Sequence, residues 1–251
     1  MAMPSPSRED WLARSVLAGY LASALVMAVL IVTFLVVGLI ASSFGPGIAD
    51  WMANLTENPL VNLVQSGLFL SVLAHLTIGI GFAVVYARFA EPVLPGSSWE
   101  KGLLYSLAPF ILSVVVFFPL VGAGLLGSNL SAGPLPVFGN LILHAVYGVV
   151  LGMLYGPAGD MLVVRTGSAQ DRIQERQEMK EAAQGAAIGV TAGLVSGALL
   201  ALLGTVLVGA GTMQVAGLPL SYTWATLVVF CSAMGCLLGT WMGLPTAQHH
   251  G

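Results

Sequence analysis

Long runs of apolar residues, each free of acidic and basic side chains, alternate with short polar connections along this chain. Each run has the roughly 20 residues that a helix needs to cross the hydrocarbon core of a bilayer. The runs lack the ten-residue alternation that is typical of membrane β-barrels, so helices are predicted. The six predicted spans are Ser15–Ser42, Val64–Ala87, Gly102–Leu126, Leu135–Pro157, Ala183–Val208 and Ser221–Leu244.

The order of spans and connections predicts an all-α, polytopic membrane protein of six transmembrane helices, arranged as three tandem helical hairpins. One polar stretch is long enough to form a helix outside the bilayer. The predicted divisions are a cytoplasmic N-terminal segment at 1–14, a four-helix unit of two hairpins at 15–160, a cytoplasmic linker helix at 161–182, a third hairpin at 183–244 and a cytoplasmic tail at 245–251.

Composition predicts where the protein is located, and the distribution of charge predicts its orientation in the membrane. The chain is 57% hydrophobic and only 8% charged, whereas roughly a quarter of the residues of a soluble domain are charged. All eight basic residues fall before the first span or in the second and fourth connections. By the positive-inside rule, this predicts a protein of the cell (inner) membrane with both termini in the cytoplasm.

Two of the spans share a spaced pattern that begins with a histidine. His75 is followed four residues later by Gly79, and His144 is followed four and eight residues later by Gly148 and Gly152. In a helix, residues at this spacing lie on nearly one stripe. Both spans run from the outer to the inner side, so the histidines are predicted at one depth, on the order of 10–13 Å below the outer boundary.

A third copy of the pattern occurs in the sixth span, where Cys231 takes the place of the histidine and Gly235 and Gly239 follow it. A repeat in every second span predicts an internal duplication of hairpins. Tyr86 and Tyr155 each lie eleven residues after a histidine, near the cytoplasmic boundary. They are predicted to belong to the aromatic belt of the membrane interface.

The paired histidines suggest a haem b site between the second and fourth helices. Two neutral imidazoles, His75 and His144, are candidate axial ligands to the metal, and Gly79, Gly148 and Gly152 would leave a flat slot for the macrocycle. Three alternatives stay open. In the first, each imidazole only satisfies a hydrogen bond to a neighbouring helix. In the second, the glycines serve only close helix packing. In the third, the histidines form a proton or ion path or bind another metal.

Part of the chain resembles a known family. The run Ala18–Met27, the segment around His75, the pair Pro95-Gly96 and the segment from His144 to Gly152 are similar to an uncharacterised family of small prokaryotic multipass membrane proteins. The resemblance covers roughly residues 15–160. That family is a domain of unknown function, so the resemblance implies a prokaryotic membrane protein and no particular activity.

The leading functional hypothesis is a non-enzymatic integral subunit of a larger, energy-transducing membrane complex. Its expected partners are the lipid bilayer and other membrane-protein subunits, with no nucleic acid. Catalysis is disfavoured because the sequence contains no phosphate-binding loop, no zinc-protease motif and no serine nucleophile with a nearby base.

Two other functions remain open. A transporter for a small molecule or a lipid is favoured by the pseudo-symmetry and by Pro109 and Pro119, which predict a kink in the third span. The other alternative is a purely structural membrane scaffold.

Overall fold

The computed structural model describes residues 11–43, 61–62, 67–130, 132–156, 169–208, 214–215 and 218–243. Within these ranges the chain is built from six long helices and one pair of two-residue antiparallel strands, in which Gln214 lies opposite Pro219. The helices are α1 Trp11–Ser43, α2 Leu68–Val85, α3 Ser98–Leu112, α4 Leu135–Tyr155, α5 Ala169–Val208 and α6 Leu220–Gly243, and the strands are β1 Gln214–Val215 and β2 Leu218–Pro219. The predicted N-terminal segment and C-terminal tail lie mostly or wholly outside the described residues.

Five helices of the described chain contain a stretch that is long and apolar enough to cross a membrane. The apolar stretch of α6 is shorter and covers Trp224–Thr240. The prediction of an all-helical protein with several membrane-crossing helices is therefore confirmed, with five of the six spans found. Those five are Trp11–Thr33, Leu68–Ala90, Ser98–Leu120, Leu135–Tyr155 and Lys180–Gly204.

Two of the spans contain a wider, π-helical turn. The last turn of the second span, Tyr86–Ala90, is π-helical, and α3 continues through a π-helical turn at Ser113–Phe117 into Phe118–Leu120. The second of these turns lies between Pro109 and Pro119. A proline has no amide hydrogen to donate to the preceding turn and its ring crowds the carbonyl there, so the regular hydrogen-bond ladder gives way at this place.

The fifth helix is longer than predicted. The predicted linker helix and the predicted fifth span are one continuous helix, Ala169–Val208, in the structure. No proline interrupts the chain where the division at residues 182 and 183 was expected, and alanine, glutamine, glutamate and lysine are good helix formers. Residues 161–168 of the predicted linker lie outside the described residues.

Neighbours in sequence pack as pairs, α1 with α2, α3 with α4 and α5 with α6. The first helix also packs against α4 and α5, and α2 packs against α6. The pairs are therefore joined mainly through α1. Between α1 and α6, the hydroxyl groups of Tyr20 and Ser232 lie 3.1 Å apart.

Small residues bring the backbones of paired helices into contact. A methyl group added to Gly189 of α5 would collide with the carbonyl oxygen of Gly235 on α6, and one added to Gly102 of α3 would collide with that of Gly148 on α4. Gly19 of α1 similarly leaves no room for a side chain beside Ala83 of α2. Such close approach is the main source of helix association in lipid, where apolar burial drives little.

Helix ends are fixed by polar side chains on the side that carries the basic residues. The carboxylate of Glu100 accepts hydrogen bonds from the backbone nitrogen and the hydroxyl of Ser97, at 2.6 and 2.7 Å, which forms a capping box at the start of α3. The guanidinium of Arg14 donates to the carbonyl oxygens of Tyr155 and Gly156, at 2.9 and 3.3 Å. It thereby satisfies the free end of α4.

We expect Gly189→Ala to destabilise the protein by about 1–3 kcal/mol, because the new methyl group must push α5 away from α6. The matched control is Gly81→Ala, since Gly81 has nothing within 4 Å of its added methyl group. Alanine favours helix over glycine, so the control should be neutral or slightly stabilising. Thermal unfolding in detergent measures both variants. Equal melting temperatures for the two would contradict this account of the α5–α6 contact.

Candidate functional site

His75 lies on α2 and His144 on α4, two helices that both pack against α1, and both side chains are half-buried. Nε2 of His75 lies 3.2 Å from the carbonyl oxygen of Ser23 on α1. Nδ1 of His144 lies 2.8 Å from the carbonyl oxygen of Asn140, one turn earlier on its own helix. The two imidazoles are near enough to interact electrostatically.

These hydrogen bonds determine which ring nitrogen carries the hydrogen. A carbonyl oxygen can only accept, so Nε2 of His75 and Nδ1 of His144 must be the donors. In neutral imidazoles, Nδ1 of His75 and Nε2 of His144 then each keep a lone pair. The edge of the His144 ring also meets Phe110 of α3, with ring centres 6.1 Å apart. Each histidine is thus held by one bond and keeps one basic nitrogen.

The predicted glycines pack helix against helix. The Cα of Gly79 faces the side chain of Ser23 on α1, and the Cα atoms of Gly148 and Gly152 face the backbone of Gly102 and Ser98 on α3. A side chain at any of the three would meet these neighbours at once. The flat slot that the haem hypothesis requires is therefore not formed by these glycines in this structure.

A buried tyrosine that the sequence analysis did not single out lies next to the histidines. Tyr147 is one turn after His144, is only 7% exposed, and donates its hydroxyl hydrogen to the carbonyl oxygen of Gly79. Tyr147 thus ties α4 to α2 one turn below the two imidazoles. In the sequence, the only indication that Tyr147 belongs to the site is its spacing of three residues from His144. That spacing is a weak indication, because many residues of an apolar span lie three positions from another residue of interest.

On the other side of the histidines, the polar contacts continue to α3. The side-chain amide of Asn140 donates to the hydroxyl oxygen of Ser113, at 2.9 Å. Ser113 is the first residue of the π-helical turn in the third span. The same Asn140 therefore holds His144 through its carbonyl and α3 through its side chain.

Three tyrosines form a cluster at the opposite end of α2 and α4. The ring centre of Tyr86 lies 5.2 Å from that of Tyr105 and 5.8 Å from that of Tyr155. The hydroxyl of Tyr105 donates to the carbonyl oxygen of Phe82, at 2.8 Å. The hydroxyl of Tyr86 is buried and has no hydrogen-bond partner among the described residues.

The prediction that the side chains of Tyr86 and Tyr155 face the membrane interface is wrong. Both side chains are buried in the core of the bundle, at 0% and 4% exposed, rather than turned to the lipid boundary. Tyr86 begins the π-helical turn of α2, and its ring lies between those of its two partners. The helical stripe shared with His75 therefore points inward along its whole length.

Charged side chains surround this tyrosine cluster. The ammonium of Lys101 lies 3.1 Å from the carboxylate of Glu91 and donates to its carbonyl oxygen at 2.9 Å. The guanidinium of Arg14 lies over the ring of Tyr155, 5.8 Å from its centre. Glu91 is near enough to interact electrostatically with the hydroxyls of both Tyr86 and Tyr155. This end of the site therefore holds acid, base and phenol groups together.

Imidazole, phenol, carboxylate and ammonium groups can each bind or release a proton. Among the residues that the structure describes, no three His, Cys, Asp or Glu side chains converge as metal ligands would. Imidazole nitrogens and hydroxyls can each donate and accept hydrogen bonds.

We found no match to this chain among protein-family models, curated proteins or solved structures.

We expect Tyr147→Phe and Tyr86→Phe to have opposite effects on stability. The first removes a hydrogen bond between helices and should cost about 0.6–1.7 kcal/mol. The second removes a buried hydroxyl that has no described partner and should be neutral or stabilising. Unfolding of each purified variant by increasing denaturing detergent measures the difference. A larger loss in Tyr86→Phe than in Tyr147→Phe would contradict the assigned hydrogen bonds.

Proposed function

We propose that all six helices cross the membrane, as three hairpins with both chain ends in the cytoplasm. The pairwise packing of α1 with α2, α3 with α4 and α5 with α6 supports this arrangement. Arg14 and Lys101 lie at the same end of the helix bundle, beside the tyrosine cluster. By the positive-inside rule that end faces the cytoplasm. The internal repeat is supported by glycine contacts at related positions of the three pairs.

This orientation can be tested by labelling single cysteines. They are introduced one at a time into a variant that lacks Cys231 and Cys236. We expect a membrane-impermeant thiol reagent to label Ser128→Cys from outside, because the exposed Ser128 lies in the connection between α3 and α4. Ser97→Cys, which precedes α3, should react only after the membrane is opened. Labelling of both cysteines from outside would contradict the arrangement.

We further propose that the protein is a non-enzymatic integral subunit of a larger, energy-transducing complex of the inner membrane. The observation that carries this proposal is the pair of imidazoles inside the bundle, each held by one backbone carbonyl and each keeping one basic nitrogen. Ionisable groups within a membrane span are costly to keep. They occur mainly where ions, protons or cofactors are handled.

Association with other subunits has its own test. The tagged chain, extracted from its native membrane in mild detergent, should migrate well above its own mass of 25.9 kDa. Other membrane chains should be present in fixed proportion to it. A chain that migrates alone under conditions that preserve known membrane complexes would contradict the proposal.

Haem b as a cofactor of the histidine pair is a separate proposal, and the residues fit it unequally. His144 suits an axial ligand, because its Nδ1 is anchored and its Nε2 is free. His75 suits it less well, because its Nε2 is bonded to Ser23 and Tyr147 closes the space between α2 and α4. A macrocycle between the two imidazoles would need these contacts to open.

An absorption spectrum of the protein, expressed with ample haem, tests the cofactor. A Soret band that is lost in both His75→Ala and His144→Ala would support ligation by both imidazoles. A colourless preparation would contradict the haem proposal and leave the subunit proposal standing.

A further inference from the structure

A file of buried and half-buried polar side chains runs along α2, α3 and α4. We call it the polar column, and its members are Asn140, His144, His75, Tyr147, Tyr105 and Tyr86. From Asn140 to Tyr155, which closes its inner end, α4 rises about 22 Å. The column therefore reaches across most of the roughly 30 Å of a bilayer core.

Neighbouring members of the column are within reach of one another. The two imidazoles interact electrostatically, and so do the hydroxyls of Tyr147 and Tyr105. The ring of Tyr105 in turn lies beside that of Tyr86, 5.2 Å between centres. Tyr147 follows His144 by a single turn of α4. The hydroxyls of Tyr147 and Tyr105 bond the carbonyl oxygens of Gly79 and Phe82 on α2. From His75 through these two positions to Tyr86, successive positions on α2 are three or four residues apart, a rise of about 4.5–6 Å each.

Two buried hydroxyls beside or within the column have no partner among the described residues. Ser23, 1% exposed, carries one of them on the residue whose carbonyl holds His75. Tyr86, 0% exposed, carries the other at the level of the tyrosine cluster. A buried hydroxyl is costly when it makes no hydrogen bond. Both are placed where a water molecule or a passing proton would supply the missing bond.

Each end of the column is marked by a π-helical turn. Tyr86 begins the turn in the second span, and Ser113, which bonds Asn140, begins the turn in the third. Such turns displace a helical residue from its regular position and are frequent at functional sites. Here both of them direct a polar side chain toward the column.

The ionisable groups that face the column differ between its two ends. At the inner end are Glu91, Arg14, Lys101 and the phenol of Tyr155. At the other end, the amide of Asn140 bonds the hydroxyl of Ser113. A carboxylate beside the inner tyrosines provides a place where a proton can be released to, or collected from, the cytoplasmic water.

From these contacts we infer that the polar column is a proton path across the first four helices, with His75 and His144 as the groups that hold the proton in transit. This inference rests on the proposed role in an energy-transducing membrane and names the ion that would be moved. Every member of the column belongs to this chain. The chain should therefore conduct protons without any other subunit.

The transfer is balanced without any redox partner. One imidazole binds an incoming proton with its free nitrogen and becomes an imidazolium. It then releases a proton to the next acceptor and returns to the neutral form. The hydroxyls of Tyr147 and Tyr105 turn away from the carbonyl oxygens that they bond at rest. Each tyrosine hydroxyl then donates its own hydrogen onward as it accepts another, so no tyrosinate is formed. No electron moves, and one positive charge crosses for each proton.

The test uses the full-length purified chain in sealed liposomes that enclose a pH-sensitive dye, with a K⁺ gradient and valinomycin to balance charge. We expect proton influx at least tenfold above that of empty liposomes. His75→Gln, His144→Gln and Tyr105→Phe should each lower it at least fivefold. The matched control is Tyr20→Phe, which removes a buried hydroxyl of α1 that faces Ser232 of α6 outside the column. Its flux should stay within twofold of the unmodified chain.

Folding of each variant is checked by its elution volume and melting temperature, and Tyr105→Phe provides a conservative change if a histidine variant fails to fold. Flux equal to that of empty liposomes would overturn the proton path, while the subunit proposal would still depend on its own complex-size measurement. Flux that is unchanged in all three column variants, or lowered equally by Tyr20→Phe, would also overturn it.

Discussion

Close backbone contact between helices is the constraint on which the rest of this structure depends. In a bilayer an apolar side chain gains little by leaving lipid for protein, so helices associate through packing and polar contacts. The glycines at the α3–α4 and α5–α6 contacts leave no room even for a methyl group. The positions of all other side chains follow from how near these backbones come.

The polar groups of the interior depend on the same contacts. The hydroxyl of Tyr147 reaches the carbonyl of Gly79 because α2 and α4 are both packed against α1. That carbonyl lies on a helix face that is kept open by the absence of a side chain at Gly79. Gly79 thus takes part in both a close helix contact and a hydrogen bond. A side chain at this position would disturb the helix contact and move the carbonyl oxygen away from Tyr147. In a medium of low dielectric constant, a polar group left without its partner is expensive.

The sequence alone could predict the helices, but not the surroundings of the two histidines. Apolar length is a strong signal, and matched spacing in two spans of the same direction predicts one depth for His75 and His144. The partners of each residue depend on rotation of each helix about its axis, which near-uniform apolarity leaves undetermined. For that reason Tyr147 and Tyr105 were not recognised, and Tyr86 was assigned to the interface. The continuity of α5 was missed because a change from polar to apolar composition does not by itself end a helix.

That continuity gives the α5–α6 pair a mechanical property. The part of α5 before its apolar stretch, residues 169–179, extends about 16 Å along the helix axis. A continuous helix is stiff along its axis and against twist, because each turn is bonded to the next. A sideways or rotational displacement of the helix at Ala169 would therefore also displace the part of α5 that contacts α6 through glycines, which begins at Gly185. Force applied to the polar end of α5 would thus reach the α5–α6 contact with little loss.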